Sequence, residues 1–180
     1  MTAATPTENL LASETPITLL YPDLEQELAT TRRILERVPD GKNDWRPHEK
    51  SMTLDRLATH VAQLPGLGIR ILTSEEFDVT AGPRPQANPG SSAERLKMFD
   101  ELSAQFVSLM RSQTWETVLT PWTFRVGERV AFRGPRAKAL RVMIVTHLAH
   151  HRAQLGVYLR VLGIPIPGSY GPSADEPLPT

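Results

Sequence analysis

The stretch VTHLAHHRAQLGVYLR, residues 145–160, decides the fold, because its three histidines interrupt an otherwise apolar helical pattern. Apolar residues on both sides recur at steps of three and four, the spacing of one face of a helix. The same steps pass through His147 and His151, so we expect both side chains to face the core. His150 falls on the neighbouring stripe, where it either borders a site or helps an adjacent packing surface. The apolar members of the pattern are Leu140, Ile144, Leu155, Tyr158 and Leu162.

A fourth histidine follows the same rule in an earlier helical segment, TLDRLATHVAQLPGLGIRIL, residues 53–72. His60 replaces an apolar residue on its core stripe. The remaining histidine, His48, lies in the turn-like run NDWRPHEKS and is not on a stripe. The segment therefore offers one inward histidine to match the pair near the C-terminus. Its apolar stripe consists of Leu57, Leu64, Leu67 and Ile71.

The three stripe histidines predict a metal site. Histidines four residues apart lie one above the other on a helix and can reach a single ion. If the two helices pack together, His60 completes a set of three neutral nitrogen ligands with His147 and His151, which suits zinc and also nickel, iron or cobalt. Three protein ligands leave coordination positions open for water or substrate.

The alternative is that each histidine is a buried core residue whose nitrogens find hydrogen-bond partners, as buried polar groups usually do. Each unsatisfied buried group costs roughly 1–3 kcal/mol. A metal satisfies three imidazoles together, so the pattern favours metal binding over three separately hydrogen-bonded histidines.

The composition excludes several classes of function. Twenty basic residues balance twenty acidic ones, so neither nucleic acid nor an anionic membrane surface is an expected partner. The chain has no cysteine, which excludes disulfides, thiolate ligands and a cysteine nucleophile. The N-terminus lacks the features of a signal peptide, and no segment is long and apolar enough to span a bilayer. We therefore expect a soluble, cytoplasmic protein.

The first half of the chain predicts two helices after a loose arm over residues 1–15. The first helix is expected from Pro16 to about Val38, and the second after an N-cap at Thr53. A loop over residues 78–91, rich in proline, glycine and asparagine, then separates the second and third helices.

The second half predicts a third helix that is capped by Ser91 or Ser92 and reaches Ser112. Between Trp115 and Phe132 the pattern alternates, which indicates a short hairpin or an extended crossover. A long fourth helix begins with Pro135 at its first position and ends at Gly163. We therefore predict an all-α protein, a four-helix bundle with long crossover connections and a possible short β-hairpin before the last helix, forming a single domain over residues 16–180.

Three segments resemble the DinB (YfiT-like) superfamily of metal-dependent four-helix-bundle proteins. They are DWRPHEKSMTLDRLATHVAQLP, HLAHHRAQLGVYLRVLGIPIP and SYGPSADE, in the same order as in that family. The resemblance implies a metal held by His60, His147 and His151, and a homodimer. It also implies a link to damage-inducible expression, from which the family takes its name. The family is similar in fold to thiol-dependent isomerases and transferases, so a low-molecular-weight thiol is a further possible cofactor.

Several other residues are candidates for the surroundings of the site. Arg152 and Gln154 are candidates to orient a ligand or bind a polar substrate, although Arg152 is equally well explained as a solvated charge on a helix face. Trp45 and Tyr170 are candidates to line a pocket, although an aromatic residue in a connector more often fills the core. His150 belongs with these residues, and we assign no catalytic acid or base.

Three functions remain open from the sequence. The first is a metal-dependent enzyme acting on a small molecule, either a thiol-cofactor-dependent S-transferase or a hydrolase that uses metal-bound water. The second is a non-catalytic, dimeric metal- or small-ligand-binding protein associated with stress. The third is a structural bundle whose histidines are vestigial or only hydrogen-bonded. An open metal position inside a substrate-sized pocket distinguishes the first from the second, and the metal content of untagged protein distinguishes the third.

Overall fold

The computed structural model describes residues 14–82 and 89–177. Most of the arm predicted over residues 1–15 and the middle of the loop predicted over residues 78–91 lie outside the described residues. The remaining predicted elements can be compared with the structure one by one.

The first predicted helix is divided into two. Helix α1 spans Pro16–Leu20, with Thr15 as its N-cap, and helix α2 spans Leu24–Leu35. The prediction of one helix up to Val38 was wrong because Pro22 has no N–H to continue the ladder of α1. The division lets Tyr21 turn into the core, where its hydroxyl donates to the Ala137 carbonyl.

The second and third predicted helices are present as expected. Helix α3 spans Leu54–Thr73, and the Thr53 hydroxyl accepts from the Arg56 N–H at its start. The helix continues through Pro65. Helix α4 spans Ser92–Arg111 with Ser91 as its N-cap. The two helices pack against each other along their length.

A short helix, α5, spans Trp115–Leu119 before the hairpin. The fourth predicted helix, which follows the hairpin, is continuous but irregular. Helix α6 spans Arg136–Leu140, a turn of π-helix covers Arg141–Val145, and helix α7 spans Thr146–Val161. Pro135 is the N-cap of α6, whereas the sequence predicted it as the first helical residue. Gly163 ends the helix with a φ of 73°, a conformation that glycine adopts easily.

A small sheet corrects the all-α prediction. Strands β2, Pro121–Val126, and β3, Arg129–Pro135, form the expected hairpin, and Gly127 has a φ of 63° in its turn. Strand β1, Glu76–Asp78, pairs in parallel with β2 and was not predicted. Its three residues are too few to show an alternating pattern.

The four long helices form a bundle with one apolar core. Helix α2 packs against α4 and α7, and α3 packs against the same two helices from the other side. The core between them is closed by Trp122 of β2, which is fully buried. Each of α3 and α7 therefore turns one face towards the other inside the bundle. Among the described residues, no helix has the length and apolar character needed to cross a bilayer.

Candidate metal centre

Two helices bring three histidines together. His60 lies on the second turn of α3, and His147 and His151 lie on the first two turns of α7. Their neighbours on the predicted stripes, including Leu57, Leu64, Leu140, Ile144 and Leu155, are buried in the core. The apolar stripes thus pack as the sequence predicted, and the histidines meet where the two stripes face each other.

The π-helical turn immediately precedes the pair on α7. The Thr146 N–H donates to Arg141 O, five residues back, and its hydroxyl donates to Val142 O at 2.7 Å. This turn adds one residue to the helix without breaking it. The sequence analysis missed it because steps of three and four residues still follow the core face through Ile144 and His147.

The imidazole nitrogens converge closely. His147 Nε2 lies 2.7 Å from His151 Nε2 and 3.4 Å from His60 Nε2. One nitrogen from each of the three rings lies within 4.8 Å of the other two, an arrangement in which they could hold a metal ion. No cysteine or carboxylate joins this cluster in the part of the chain that the structure describes.

Hydrogen bonds on the outer nitrogens orient two of the rings. His147 Nδ1 lies 3.2 Å from Met143 O, and His151 Nδ1 lies 2.7 Å from Gln154 Oε1. A carbonyl oxygen only accepts, so these contacts favour the tautomer in which Nδ1 carries the proton. In that tautomer the two Nε2 atoms, 2.7 Å apart, are both free to ligate a metal ion.

The three histidines are neutral at pH 7. Burial, reinforced by the neighbouring rings of His151 and His147 and by the Arg56 charge, lowers the pKa of His60 from 6.5 to about 4. Burial also lowers the pKa of His147 and of His151, against weaker opposing effects of their hydrogen bonds to Met143 and Gln154. Metal ligation requires neutral imidazole, so the site is in the correct protonation state.

The other predicted site residues fall in three places. Gln154 contacts His151, and His150 is exposed with its ring centre 4.7 Å from that of His151. Trp45 packs edge-on against Tyr158 at 5.6 Å. Arg152 is buried, so it is not a solvated charge. Its hydrogen bonds are with α2 rather than with the histidines, and Tyr170 lies over its guanidinium group.

The sequence analysis missed the partner of Arg152. Glu27 of α2 is buried and forms an ion pair with Arg152 at 2.7 Å. The sequence does contain a signal for this ion pair, because Glu27 lies three residues after Leu24 and seven before Ile34, on the apolar stripe of α2. A charged residue on a core stripe predicts a buried partner of opposite charge.

A four-helix bundle with three inward histidines on two of its helices defines a class of candidate metal proteins. The chain belongs to the DinB family, whose model matches residues 9–178. It is 26% identical over 155 residues to the uncharacterized protein YrdA of Bacillus subtilis (strain 168), covering 84% of this chain and 86% of that protein.

Solved structures show the same fold at low identity. A DinB-like protein from Bacillus cereus ATCC 10987 is 21% identical, with a TM-score of 0.61 and coverage of 84% of this chain and 95% of that one. YfiT from Bacillus subtilis is 17% identical, with a TM-score of 0.59 and coverage of 91% and 92%. YfiT is described as a probable metal-dependent hydrolase with an unusual four-helix-bundle topology.

Proposed function

We propose that this protein is a metal-dependent hydrolase that acts on a small molecule, with His60, His147 and His151 as the metal ligands. The observation that carries the proposal is the convergence of three imidazole nitrogens, with His147 Nε2 2.7 Å from His151 Nε2 and 3.4 Å from His60 Nε2. The likeness to YfiT in fold, and the description of YfiT as a probable metal-dependent hydrolase, support the same reaction class.

Three protein nitrogens leave coordination positions for water and substrate. A divalent ion in such a site supplies a Lewis acid and lowers the pKa of a coordinated water towards 7. The contribution of this chain is to keep the three imidazoles neutral, which burial does, and to orient two of them. Met143 O and Gln154 Oε1 orient His147 and His151 by accepting hydrogen bonds from their Nδ1 atoms.

The charge of the ligand set also favours hydrolysis. All three ligands are neutral and no carboxylate joins the described cluster, so a divalent ion keeps its full charge. An undiminished charge polarises a carbonyl or phosphoryl oxygen more strongly than a site that contains carboxylate ligands. We therefore expect substrates with an ester, amide or phosphoester group.

The first test is the metal content of untagged protein, measured by elemental mass spectrometry after purification and after incubation with zinc or nickel. We expect one divalent ion per chain, and its loss in His60→Ala, His147→Ala and His151→Ala, because each change leaves two ligands. His150→Ala is the matched control and should keep the ion, since His150 is exposed and outside the cluster. Circular dichroism checks that each variant remains helical.

The second test is turnover. The substrates are p-nitrophenyl acetate and a panel of amides and phosphate esters. We expect hydrolysis to be lost when a chelator removes the metal, to return when the ion is added back, and to be absent from the three ligand variants. Metal retained in all three variants contradicts the ligand assignment. Stoichiometric metal without hydrolysis of any substrate contradicts the hydrolase and favours a binding protein.

A further inference from the structure

A five-residue pattern occurs on both helices that carry the clustered histidines. Residues 60–64 of α3 read HVAQL, and residues 151–155 of α7 read HRAQL. In both segments the histidine belongs to the cluster, and the leucine four residues later is buried in the core. The histidine and the leucine fix the rotation of each helix about its axis. The glutamine three residues after the histidine therefore lies on the same side of that histidine in both helices.

On α7 this glutamine has a visible contact with its histidine. Gln154 Oε1 lies 2.7 Å from His151 Nδ1. Side chains three residues apart on a helix are neighbours, and long side chains lean towards the N-terminus of their helix. A glutamine in this position therefore reaches back to the histidine one turn earlier. The contact leaves His151 Nε2 facing the other histidines.

On α3 the corresponding contact is not formed. Gln63 is half-buried, like Gln154, but its side chain makes no hydrogen bond to any residue in the described ranges 14–82 and 89–177. The imidazole of His60 contacts His147 through Nε2, at 3.4 Å, and its Nδ1 has no acceptor within the same ranges. A donor without an acceptor and an acceptor without a donor thus lie three residues apart on one helix.

Gln63 is the side chain best placed to complete the hydrogen bonds of His60. The residues three and four positions away on a helix are the ones whose side chains lie beside a given residue. For His60 these are Arg56, Leu57, Gln63 and Leu64. The two leucines are buried and apolar, and an arginine side chain only donates. Among these four neighbours, the acceptor oxygen belongs to Gln63.

We propose that Gln63 is the positioning residue of His60, with its amide oxygen accepting from His60 Nδ1 when Nε2 ligates a divalent ion. A ligating imidazole almost always donates its other N–H to an acceptor, which fixes the ring and its tautomer. The inference rests on the metal centre proposed above and adds an orienting partner for its third ligand. Each of the two helices then supplies one glutamine to one histidine, through the same spacing.

The first test is the affinity for zinc, measured by competition with a chromogenic chelator. Gln63→Leu removes the acceptor, and we expect it to raise the dissociation constant about 10- to 100-fold. Gln63→Glu keeps an acceptor oxygen at the same place and should bind zinc at least as tightly as the wild type. The control is Gln105→Leu, at an exposed position of α4, which should bind zinc like the wild type. Circular dichroism checks that each variant is folded.

The second test observes the proton itself. An imidazole N–H that donates to a protein acceptor exchanges slowly with water and gives a signal in proton–nitrogen NMR spectra of the zinc-loaded protein. We expect this signal from Nδ1 of His60, His147 and His151 in the wild type. In Gln63→Leu the His60 signal alone should be lost, and in Gln63→Glu it should return. A role of Gln63 in packing would not give this pattern of loss and rescue.

Three results would overturn this inference while leaving the metal centre in place. They are an unchanged zinc affinity in folded Gln63→Leu, a His60 Nδ1 signal that persists in that variant, and equal losses of affinity in Gln63→Leu and Gln63→Glu. The first two mean that a main-chain carbonyl or water orients His60, and the third means that Gln63 only packs. A wild type that binds no zinc overturns the metal centre and this inference with it. Zinc bound without hydrolysis, together with the expected effects of the Gln63 variants, supports the inference and contradicts only the hydrolase.

Discussion

At the scale of single residues, Gln154 has a larger part in the candidate metal centre than its position in the sequence indicates. It lies about one helical turn after His151, and its amide oxygen accepts a hydrogen bond from Nδ1 of that histidine at 2.7 Å. Such a partner fixes both the tautomer and the orientation of a ligating ring. A ring without this partner can rotate and can carry its proton on the nitrogen that faces the ion.

Replacing Gln154 should therefore weaken metal binding without removing it. We expect Gln154→Leu to raise the dissociation constant for zinc about 10- to 100-fold, measured by competition with a chromogenic chelator. Gln105→Leu, at an exposed position of α4, is the control and should bind zinc like the wild type. An unchanged zinc affinity in Gln154→Leu would show that His151 is oriented by packing alone.

The sequence predicted the residues of the cluster better than their surroundings. His60, His147 and His151 are found together because each occupies a core step of an apolar stripe, and the periodicity of a helix is written in the sequence. The hydrogen-bond acceptors on Met143 and Gln154 depend on the rotamers of the histidines and of Gln154. The partner of Arg152 depends on which helix packs beside it. The periodicity of apolar residues carries no information about rotamers or about neighbouring helices.

At the scale of elements, the pairing of α3 with α4 depends on a glycine. A Cβ on Gly68 would lie 2.5 Å from the ring of Phe106, which is buried, whereas a Cβ on Gly66 would lie 3.5 Å from Leu102. Both glycines are inside α3, where alanine is intrinsically the better helix former. The two positions therefore differ in packing rather than in backbone preference.

The two alanine substitutions should have opposite effects on stability. Gly68→Ala should lower the free energy of unfolding by about 1–3 kcal/mol, because the helices must move apart or the ring must shift. Gly66→Ala should raise it by roughly 0.5–1 kcal/mol, because the contact is ordinary and the helix gains propensity. Urea unfolding followed by circular dichroism measures both. A stabilised Gly68→Ala would mean that Phe106 moves aside at little cost.

The elements that the sequence missed have causes that the spacing of apolar residues does not reveal. Strand β1 has three residues, and its pairing with β2 joins positions far apart in the chain. The π-helical turn over Arg141–Val145 is a change in hydrogen bonding that leaves the core face nearly unchanged. By contrast, Thr53 was predicted correctly as an N-cap and Ser91 is one of the two caps predicted for the third helix, because capping is a property of a few adjacent residues.

At the scale of the whole molecule, two carboxylates hold the C-terminal segment, residues 164–177, against the helical bundle. Asp175 pairs with Arg160 of α7 and accepts from the Ile166 N–H. Glu176 pairs with Arg33 of α2 and accepts from the Gly168 N–H. These contacts hold the segment beside α7, where Ile166, Pro167 and Ser169 form one wall of a groove.

The contacts of these two carboxylates should be lost at acidic pH. The side-chain hydrogen bond from Arg160, followed by that from the Ile166 N–H, lowers the pKa of Asp175 from 3.8. The side-chain hydrogen bond from Arg33, followed by that from the Gly168 N–H, lowers the pKa of Glu176 from 4.5. A lowered pKa means that the stabilisation is complete above the ordinary value and is lost as the pH falls through the lowered one.

Amide shifts of Ile166 and Gly168 measured from pH 7 to pH 3 test this expectation. The Ile166 transition should have its midpoint below 3.8 and vanish in Asp175→Asn, and the Gly168 transition should have its midpoint below 4.5 and vanish in Glu176→Gln. Midpoints at or above these ordinary pKa values would show that the carboxylates do not form these contacts in solution.

The homodimer that the family resemblance implies stays a prediction.

The sequence by itself determined the helical bundle and the three histidines that face its core. Both follow from the spacing of apolar residues along single helices, and that spacing is local information. The tertiary structure alone decided the third strand and the buried pair of Arg152 with Glu27, because each joins groups from distant parts of the chain that meet only when the elements pack. The π-helical turn and the acceptors that orient the imidazoles lie within the last helix, but they depend on backbone hydrogen bonds and rotamers that the spacing of apolar residues does not encode.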